Sequence, residues 1–197
     1  MGDIVLAGST SGTVTISPPA SAGTTTLTLP STSGTIVTTN TLPAGSVLQV
    51  VQTVKTDTFS SSTTNSWVDI TGLSVSITPS SSSNKILVMA QVMAAGAVTT
   101  NNVLLRLVRD STAIDVGATA SNRVPSFACT QASNDNNNAN NVNASYLDSP
   151  ATTSSTTYKI QAWSNSATMY INRSPNDTDA SYAPRGASTI TVLEIKG

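Results

Sequence analysis

The sequence predicts an all-β protein, in which an extended N-terminal segment of strand repeats precedes a jelly-roll-like β-sandwich. Serine and threonine together fill roughly a third of the positions, far above their average usage. The branched Cβ of threonine fits a pleated strand, and serine favours turns. Valine, leucine and isoleucine alternate with polar residues along the chain, which is the period of a half-buried strand and not of an amphipathic helix.

Residues 1–42 form a segment of strand-like repeats. Polar and apolar residues alternate in 13–16 and again in 24–29, and turn-forming prolines and glycines separate these stretches. The segment has too few large apolar residues to build a core alone, although several copies wound together could build one. We therefore predict a stem or particle-anchoring segment in an intertwined oligomer, with its apolar anchoring side chains at Ile4, Val5, Leu6, Val14 and Ile16.

Residues 43–45 are predicted to be a joint, and residues 46–197 to be the C-terminal β-sandwich. Strand-like stretches occur at 46–54, 67–70, 73–77, 85–95, 103–110, 124–130, 146–148, 156–164, 167–173 and 188–195. With the shortest stretches counted as parts of longer strands, they amount to about eight strands, the number expected of a sandwich or jelly roll. Thr71 and Gly72 are expected to separate two of them, and 85–95 is apolar on both faces, as an innermost strand would be.

The composition excludes several classes of function. The chain has no histidine and a single cysteine, Cys129, so histidine-based triads, intrachain disulfides and cysteine-rich metal sites are excluded. Its net charge is −1 and it has no basic cluster for nucleic acid to bind. No apolar run reaches membrane-spanning length. We predict a protein that is not an enzyme and needs no cofactor.

Three groups of polar side chains leave alternatives open. Asp177 and Asp179 could hold Ca²⁺ or serve a glycosidase, but a solvated turn is the favoured interpretation. Arg106, Arg109 and Arg123 could clamp an anionic sugar, but a surface or intersubunit role is favoured. Asp110 and Asp115 are predicted to flank a hairpin between two strands.

The aromatic rings and one loop are the candidates for contact with a receptor. Aromatic rings stack on sugars, yet core packing is favoured for the large rings, which are Trp67, Trp163, Tyr158 and Tyr170. Asparagine packs poorly in strands, so residues 134–143 are predicted to form an exposed loop. Its candidate receptor-contact residues are Asn134, Asp135, Asn136, Asn137, Asn138, Asn140 and Asn141.

Several strings of the chain together resemble virion structural and tail-fibre proteins of tailed phages, frequent among marine and cyanobacterial phages. These strings are 45–51, 77–79, 85–88, 146–150, 157–161, 170–173 and 188–195, and the N-terminal repeats 8–15 and 34–37 resemble those that precede fibre domains. The resemblance implies a homotrimeric fibre or capsid-decoration protein on the particle surface, made in the host cytoplasm. Other virion proteins would be its partners, and host surface glycan would be bound if the distal loops form a receptor-binding tip. The resemblance supplies no catalytic residues.

Overall fold

The structure of the protein is a computed structural model that describes residues 4–7, 9–17, 20, 24, 31–32, 42–97, 100–131 and 136–197. The chain divides into two compact units, Met1–Asn40 and Thr41–Gly197. Strands make up all the regular structure of the described residues, and none of these residues form a helix that could cross a membrane.

The described residues form thirteen strands. In chain order they are β1 (Ile4–Ala7), β2 (Thr13–Ile16), β3 (Val47–Lys55), β4 (Phe59–Ser61), β5 (Trp67–Ile77), β6 (Lys85–Gly96), β7 (Asn102–Arg109), β8 (Thr112–Ile114), β9 (Ala128–Gln131), β10 (Asn140–Asp148), β11 (Thr156–Ser164), β12 (Met169–Ile171) and β13 (Ser188–Ile195). Strands β1 and β2 form an antiparallel hairpin in the first unit.

The second unit contains two antiparallel sheets. In the first sheet, β6 pairs with β10 along one edge and with β13 and then β12 along the other. Strands β3 and β4 complete this sheet by pairing with β13 and β12. In the second sheet, β11 lies between β5 and β7, and the far edge of β7 pairs with β8 and β9.

The path of the chain between the two sheets is that of a jelly roll. It runs from β3 in the first sheet to β5 in the second, returns to β6, crosses to β7, β8 and β9, and returns to β10. It then crosses to β11 and ends in β12 and β13 of the first sheet. Four adjacent strands of the first sheet, β3-β13-β6-β10, and four of the second, β5-β11-β7-β9, have the double-sheet arrangement of a jelly roll. The predicted all-β, jelly-roll-like sandwich is confirmed.

The core lies between the two sheets and follows the alternation in the sequence. Along β11 and β13, residues alternate strictly between buried and partly exposed, because successive side chains of a strand point to opposite faces. The buried set contributed by these two strands and β7 includes Leu105, Leu107, Tyr158, Ile160, Ile190 and Val192, none of which is accessible to solvent. The central strand β6 adds Ile86, Val88 and Val92.

Several predicted boundaries are wrong. The predicted strand 124–130 begins only at Ala128, in β9, and the predicted strand 167–173 is reduced to β12. Two further differences follow from strand pairing. Thr71 and Gly72 do not separate two strands, because β5 runs on through Gly72, which takes a φ of +82°. The register of β5 with β11 shifts between Lys159 and Gln161, as at a β-bulge. Asn140 and Asn141 are not loop residues but the start of β10, because they pair with Ala94 and Met93 of β6.

The prediction for the aromatic rings holds for one of the four. Tyr158 is fully buried, and its hydroxyl donates a hydrogen bond of 2.6 Å to Asp148. Burial and the neighbouring Asp148 carboxylate hold the pKa of Tyr158 well above its usual range. Trp67, Trp163 and Tyr170 instead remain partly exposed, because their positions in the alternation point away from the core.

A buried carboxylate fixes the turn between β5 and β6 to β13. Glu194 is 1% exposed, and it accepts hydrogen bonds from the Ser80 backbone at 2.7 Å, from the Ser80 hydroxyl at 2.8 Å and from Asn84 at 2.5 Å. The other oxygen accepts from Gln49 at 2.6 Å. Burial disfavours the charge, but these donors together outweigh it and leave the pKa of Glu194 below its ordinary value of 4.5.

We expect Glu194→Gln to lower the free energy of unfolding at pH 7 by roughly 1.5–3 kcal/mol, the usual contribution of hydrogen bonds to a charged group. Because the folded-state pKa is depressed, this contribution is present above pH 4.5 and is lost as the pH falls through the folded-state pKa. Urea denaturation of both proteins from pH 7 to pH 3 measures the difference. Asp179→Asn, which removes an exposed carboxylate, is the control, and a pH-independent difference would contradict the assignment.

Candidate functional site

The described part of the asparagine-rich loop is attached to the long connection between β12 and β13. The Asn176 backbone N–H donates to the Asn136 carbonyl at 2.8 Å, and the Asn176 amide donates to Asn137 Oδ1 at 2.9 Å. Asn136 and Asn138 are exposed and Asn137 is half-buried. Asn134 and Asp135 lie outside the described residues. Two loops far apart in sequence therefore form one polar surface.

An ion cluster orders the β12–β13 connection beside this surface. Arg185 donates two hydrogen bonds to the Asp177 carboxylate, at 3.0 and 2.8 Å, and Arg173 Nη1 lies 3.1 Å from the same group. Arg173 also stacks on the Tyr170 ring, with its guanidinium 4.2 Å from the ring centroid. The hydrogen bonds from Arg185 and the charges of both arginines lower the pKa of Asp177, so this carboxylate is ionised and paired.

Residues of the same connection line an open depression with a volume of about 450 Å³. Its lining residues are Asp177, Thr178, Asp179, Ala180, Ala183 and Arg185. Asp177 and Asp179 both reach this depression, but the oxygens of Asp177 already accept from arginine, which favours the solvated, structural interpretation of the pair over calcium binding or glycosidase chemistry. No cluster of three or more histidine, cysteine or acidic residues suited to a metal ion occurs in the part of the chain that the structure describes.

The three arginines considered as a clamp do not converge. Arg109 donates to both oxygens of Asp148, at 2.8 and 2.9 Å, and so neutralises the carboxylate that binds the Tyr158 hydroxyl. Arg106 lies on the outer face of the second sheet, stacked 4.3 Å from the centre of the Trp67 ring. Arg123 is in the turn before β9, where its backbone N–H donates a hydrogen bond to the Ala120 carbonyl. Arg109 is thus a structural residue of the sandwich.

The hairpin of the first unit presents an apolar face to solvent. Ile4 pairs with Ile16 and Leu6 with Val14, and because paired and alternate positions share a face, these four side chains lie together. Their exposed fractions range from 46% to 62%. Val5 is 58% exposed but lies on the opposite face, opposite Thr15. Four of the five predicted anchoring side chains therefore form one patch.

The comparisons with known proteins find structural neighbours but no family. No family model and no curated protein matches the chain. The chain is similar to a mutant VP2 protein of infectious bursal disease virus in derived T=1 particles, with 12% identity and a TM-score of 0.41 over 92% of this chain and 45% of that one. The chain is also similar to another structure of T=1 particles derived from this virus, with 13% identity and a TM-score of 0.42 over 93% of this chain and 44% of that one. For the structure of the Gx strain of the same virus, the identity is 13% and the TM-score is 0.40, over 77% of this chain and 37% of that one.

The chain spans less than half the length of these solved proteins. With identities below 25% and TM-scores below 0.5, the likenesses carry no argument about function. The proposed function therefore rests on this chain's own residues.

We expect Asn176→Ala to loosen the asparagine-rich loop, because it removes the side-chain bond to Asn137 but keeps the backbone bond to Asn136 and the rest of the sandwich. The cost in unfolding free energy should be about 1 kcal/mol or less, whereas amide hydrogen exchange at 136–138 should become faster. Hydrogen-exchange mass spectrometry of the full chain measures this. Asn122→Ala, in the exposed turn before β9, is the control, and unchanged exchange at 136–138 in Asn176→Ala would show that the side-chain bond does not hold the loop.

Proposed function

We propose that the protein is a non-enzymatic virion structural protein of a tailed phage, a homotrimeric fibre or capsid-decoration protein exposed on the particle. The observation that carries this proposal is the exposed apolar face of the β1–β2 hairpin. A two-stranded hairpin is marginally stable at best in water and needs further strands or packing against its apolar face. Residues 1–42 would find this cover in neighbouring copies or in the virion protein to which they anchor.

The jelly-roll unit and the sequence resemblance support the same proposal. The jelly roll is a rigid scaffold that occurs in viral capsid and lectin domains, although a fold by itself does not establish a function. The strings at 45–51 and 146–150, among others, resemble phage virion proteins. In this proposal the protein acts by assembling through complementary surfaces. The N-terminal unit is the stem, and residues 46–197 are the distal domain.

We expect the purified full chain to be a trimer at micromolar concentration, as measured by sedimentation equilibrium. Leu6→Thr/Val14→Thr, which polarises the apolar face of the hairpin, should weaken the trimer because burial of each such side chain contributes about 1.5–3 kcal/mol. Val5→Thr on the opposite face is the matched control. A wild-type chain that is a folded monomer at this concentration would contradict the proposal.

The place of the protein on the particle can be tested independently. Electron microscopy of phage particles labelled with an antibody against residues 46–197 should show the label on the outer surface. Its position at the capsid, neck or tail distinguishes decoration from a fibre. A protein absent from purified particles would not be a virion component.

A second candidate function is recognition of host surface glycan by the joined loops. The observation that favours it is the polar surface that Asn136–Asn138 form with the β12–β13 connection, beside the 450 Å³ depression. Binding residues concentrate on loops held by a rigid scaffold. The lining of the depression includes the Thr178 hydroxyl, two carboxylates and the Arg185 guanidinium, all of which are groups that form hydrogen bonds with sugars.

Replacement of residues 136–139 by a Gly-Ser linker should abolish binding of the labelled protein to host cells without unfolding it. The replacement stops before Asn140 because β10 begins there. Circular dichroism checks the fold, and a Gly-Ser replacement of the turn residues 121–122 is the control. Retained cell binding would show that this loop is not the receptor site.

A further inference from the structure

The outer faces of the two sheets differ in chemistry. On the second sheet, Asp69 accepts hydrogen bonds from Lys159 at 2.8 Å and from Gln161 at 2.6 Å. Gln161 in turn accepts from Arg106 at 2.8 Å, and Arg106 covers Trp67. This connected row of charged and polar groups suits a face in contact with water.

The outer face of the first sheet carries a row of apolar side chains, whereas the outer face of the second sheet carries a row of charged and polar ones. Strand register aligns Val50 with Leu193, Leu193 with Leu87, and Leu87 with Leu147. Because directly paired residues share a face, these four side chains form a continuous row across β3, β13, β6 and β10, which we call the apolar ridge. Its two ends, Val50 and Leu147, are 58% and 48% exposed.

Residues around the ridge extend the apolar surface. Met89, in the row next to the ridge, is 48% exposed, and Val54, two rows from the ridge, is 50% exposed. The alternation of the four strands puts a single charged side chain, Lys85, on this face. Such a face costs free energy in water and marks an interaction surface when it is contiguous.

A shallow depression lies directly beside the apolar ridge. It has a volume of about 410 Å³ and lies at the row next to the ridge, in which Gln52, Thr191, Met89 and Ser145 are in register. Its lining residues are Met89, Ala90, Gln91, Asn143, Ala144, Ser145, Thr189 and Thr191. One face thus carries both a protruding and a receding element.

We propose that this outer face is the surface through which the jelly-roll units of neighbouring copies meet, a proposal that rests on the homo-oligomeric assembly proposed above. The apolar ridge of one copy enters the depression of the next. A contact of this kind, in which two different parts of the surface meet, is heterologous and closes into a ring when the rotation between copies allows it. The arrangement suits a trimer.

The size and charge of the face favour a second copy as the occupant. Four strands about 4.8 Å apart, paired over seven to nine residues at about 3.3 Å a residue, give a face of roughly 500 Å². In a ring each face is shared between two neighbours, so the three faces of a trimer together bury about 1,500 Å², an area comparable to that of one standard-size interface. With Lys85 as its one charge and a net chain charge of −1, the face brings little like-charge repulsion to self-association.

Cross-linking of the full chain tests the proposal. Met89 lies on the central strand of the face, and two sheets pack about 10 Å apart. In a Cys129→Ser background, which removes the single native cysteine, Met89→Cys should form covalent dimers with a bis-maleimide of about that span. Val116→Cys, at an exposed position after β8, is the matched control and should remain uncross-linked at the same protein concentration.

A charge substitution gives a second readout. Val50→Lys, on the edge strand β3, should raise the dissociation constant of the oligomer at least about tenfold, whereas Val116→Lys should leave it unchanged; a tenfold change corresponds to 1.4 kcal/mol. Both sites are exposed, so circular dichroism should show that both variants fold.

The outcomes separate this inference from the proposed function. A wild-type trimer that shows neither the Met89→Cys cross-link nor weakening by Val50→Lys would overturn the inference and leave the proposed assembly standing. A monomeric wild-type chain would overturn both. In labelled particles, a Met89→Cys cross-link to a different virion protein in place of a second copy would also overturn it.

Discussion

The pairing of β6 along both of its edges is the constraint on which the rest of the sandwich depends. Its residues 86–94 pair with β10 on one side, and its two halves pair with β13 and β12 on the other. These pairings place the last strands of the chain beside an early one. They also bury the Ile86, Val88 and Val92 side chains between the sheets, so the core and the first sheet form together.

Buried polar groups connect the elements around an aliphatic core. Aromatic residues supply 4% of the chain, and Tyr158 is the one aromatic residue of the buried core cluster among the described residues. Glu194 holds the β5–β6 turn, Asp148 joins Arg109 to Tyr158, and Asn172 donates to the carbonyls of Lys55 and Asp57 at 2.8 and 2.9 Å. Among the described residues, no buried side-chain nitrogen or oxygen lacks a hydrogen-bond partner. Such satisfied networks favour one arrangement of the core.

The surface of the molecule divides into parts with different physical character. The outer face of the second sheet is polar and internally paired, and the joined loops are polar with an ion cluster beside them. The hairpin face and the apolar ridge are the apolar parts, and both proposals of assembly start from them. Surfaces of different character would allow one chain to assemble through one surface and contact a receptor through another.

Sequence alone determined the elements whose alternation is regular. Strands β11 and β13 have the predicted bounds, and β2 of the hairpin falls where polar and apolar residues alternate, because a period of two is a local property. Tertiary structure alone decided three other features. Asn140 and Asn141 lie in a strand because β6 offers them partners, β5 continues through Gly72 because its bulge keeps it paired with β11, and Asn176 reaches Asn137 across the fold. The apolar ridge also depends on register: Val50, Leu193, Leu87 and Leu147 come from four strands, and no pattern within one strand predicts that they align.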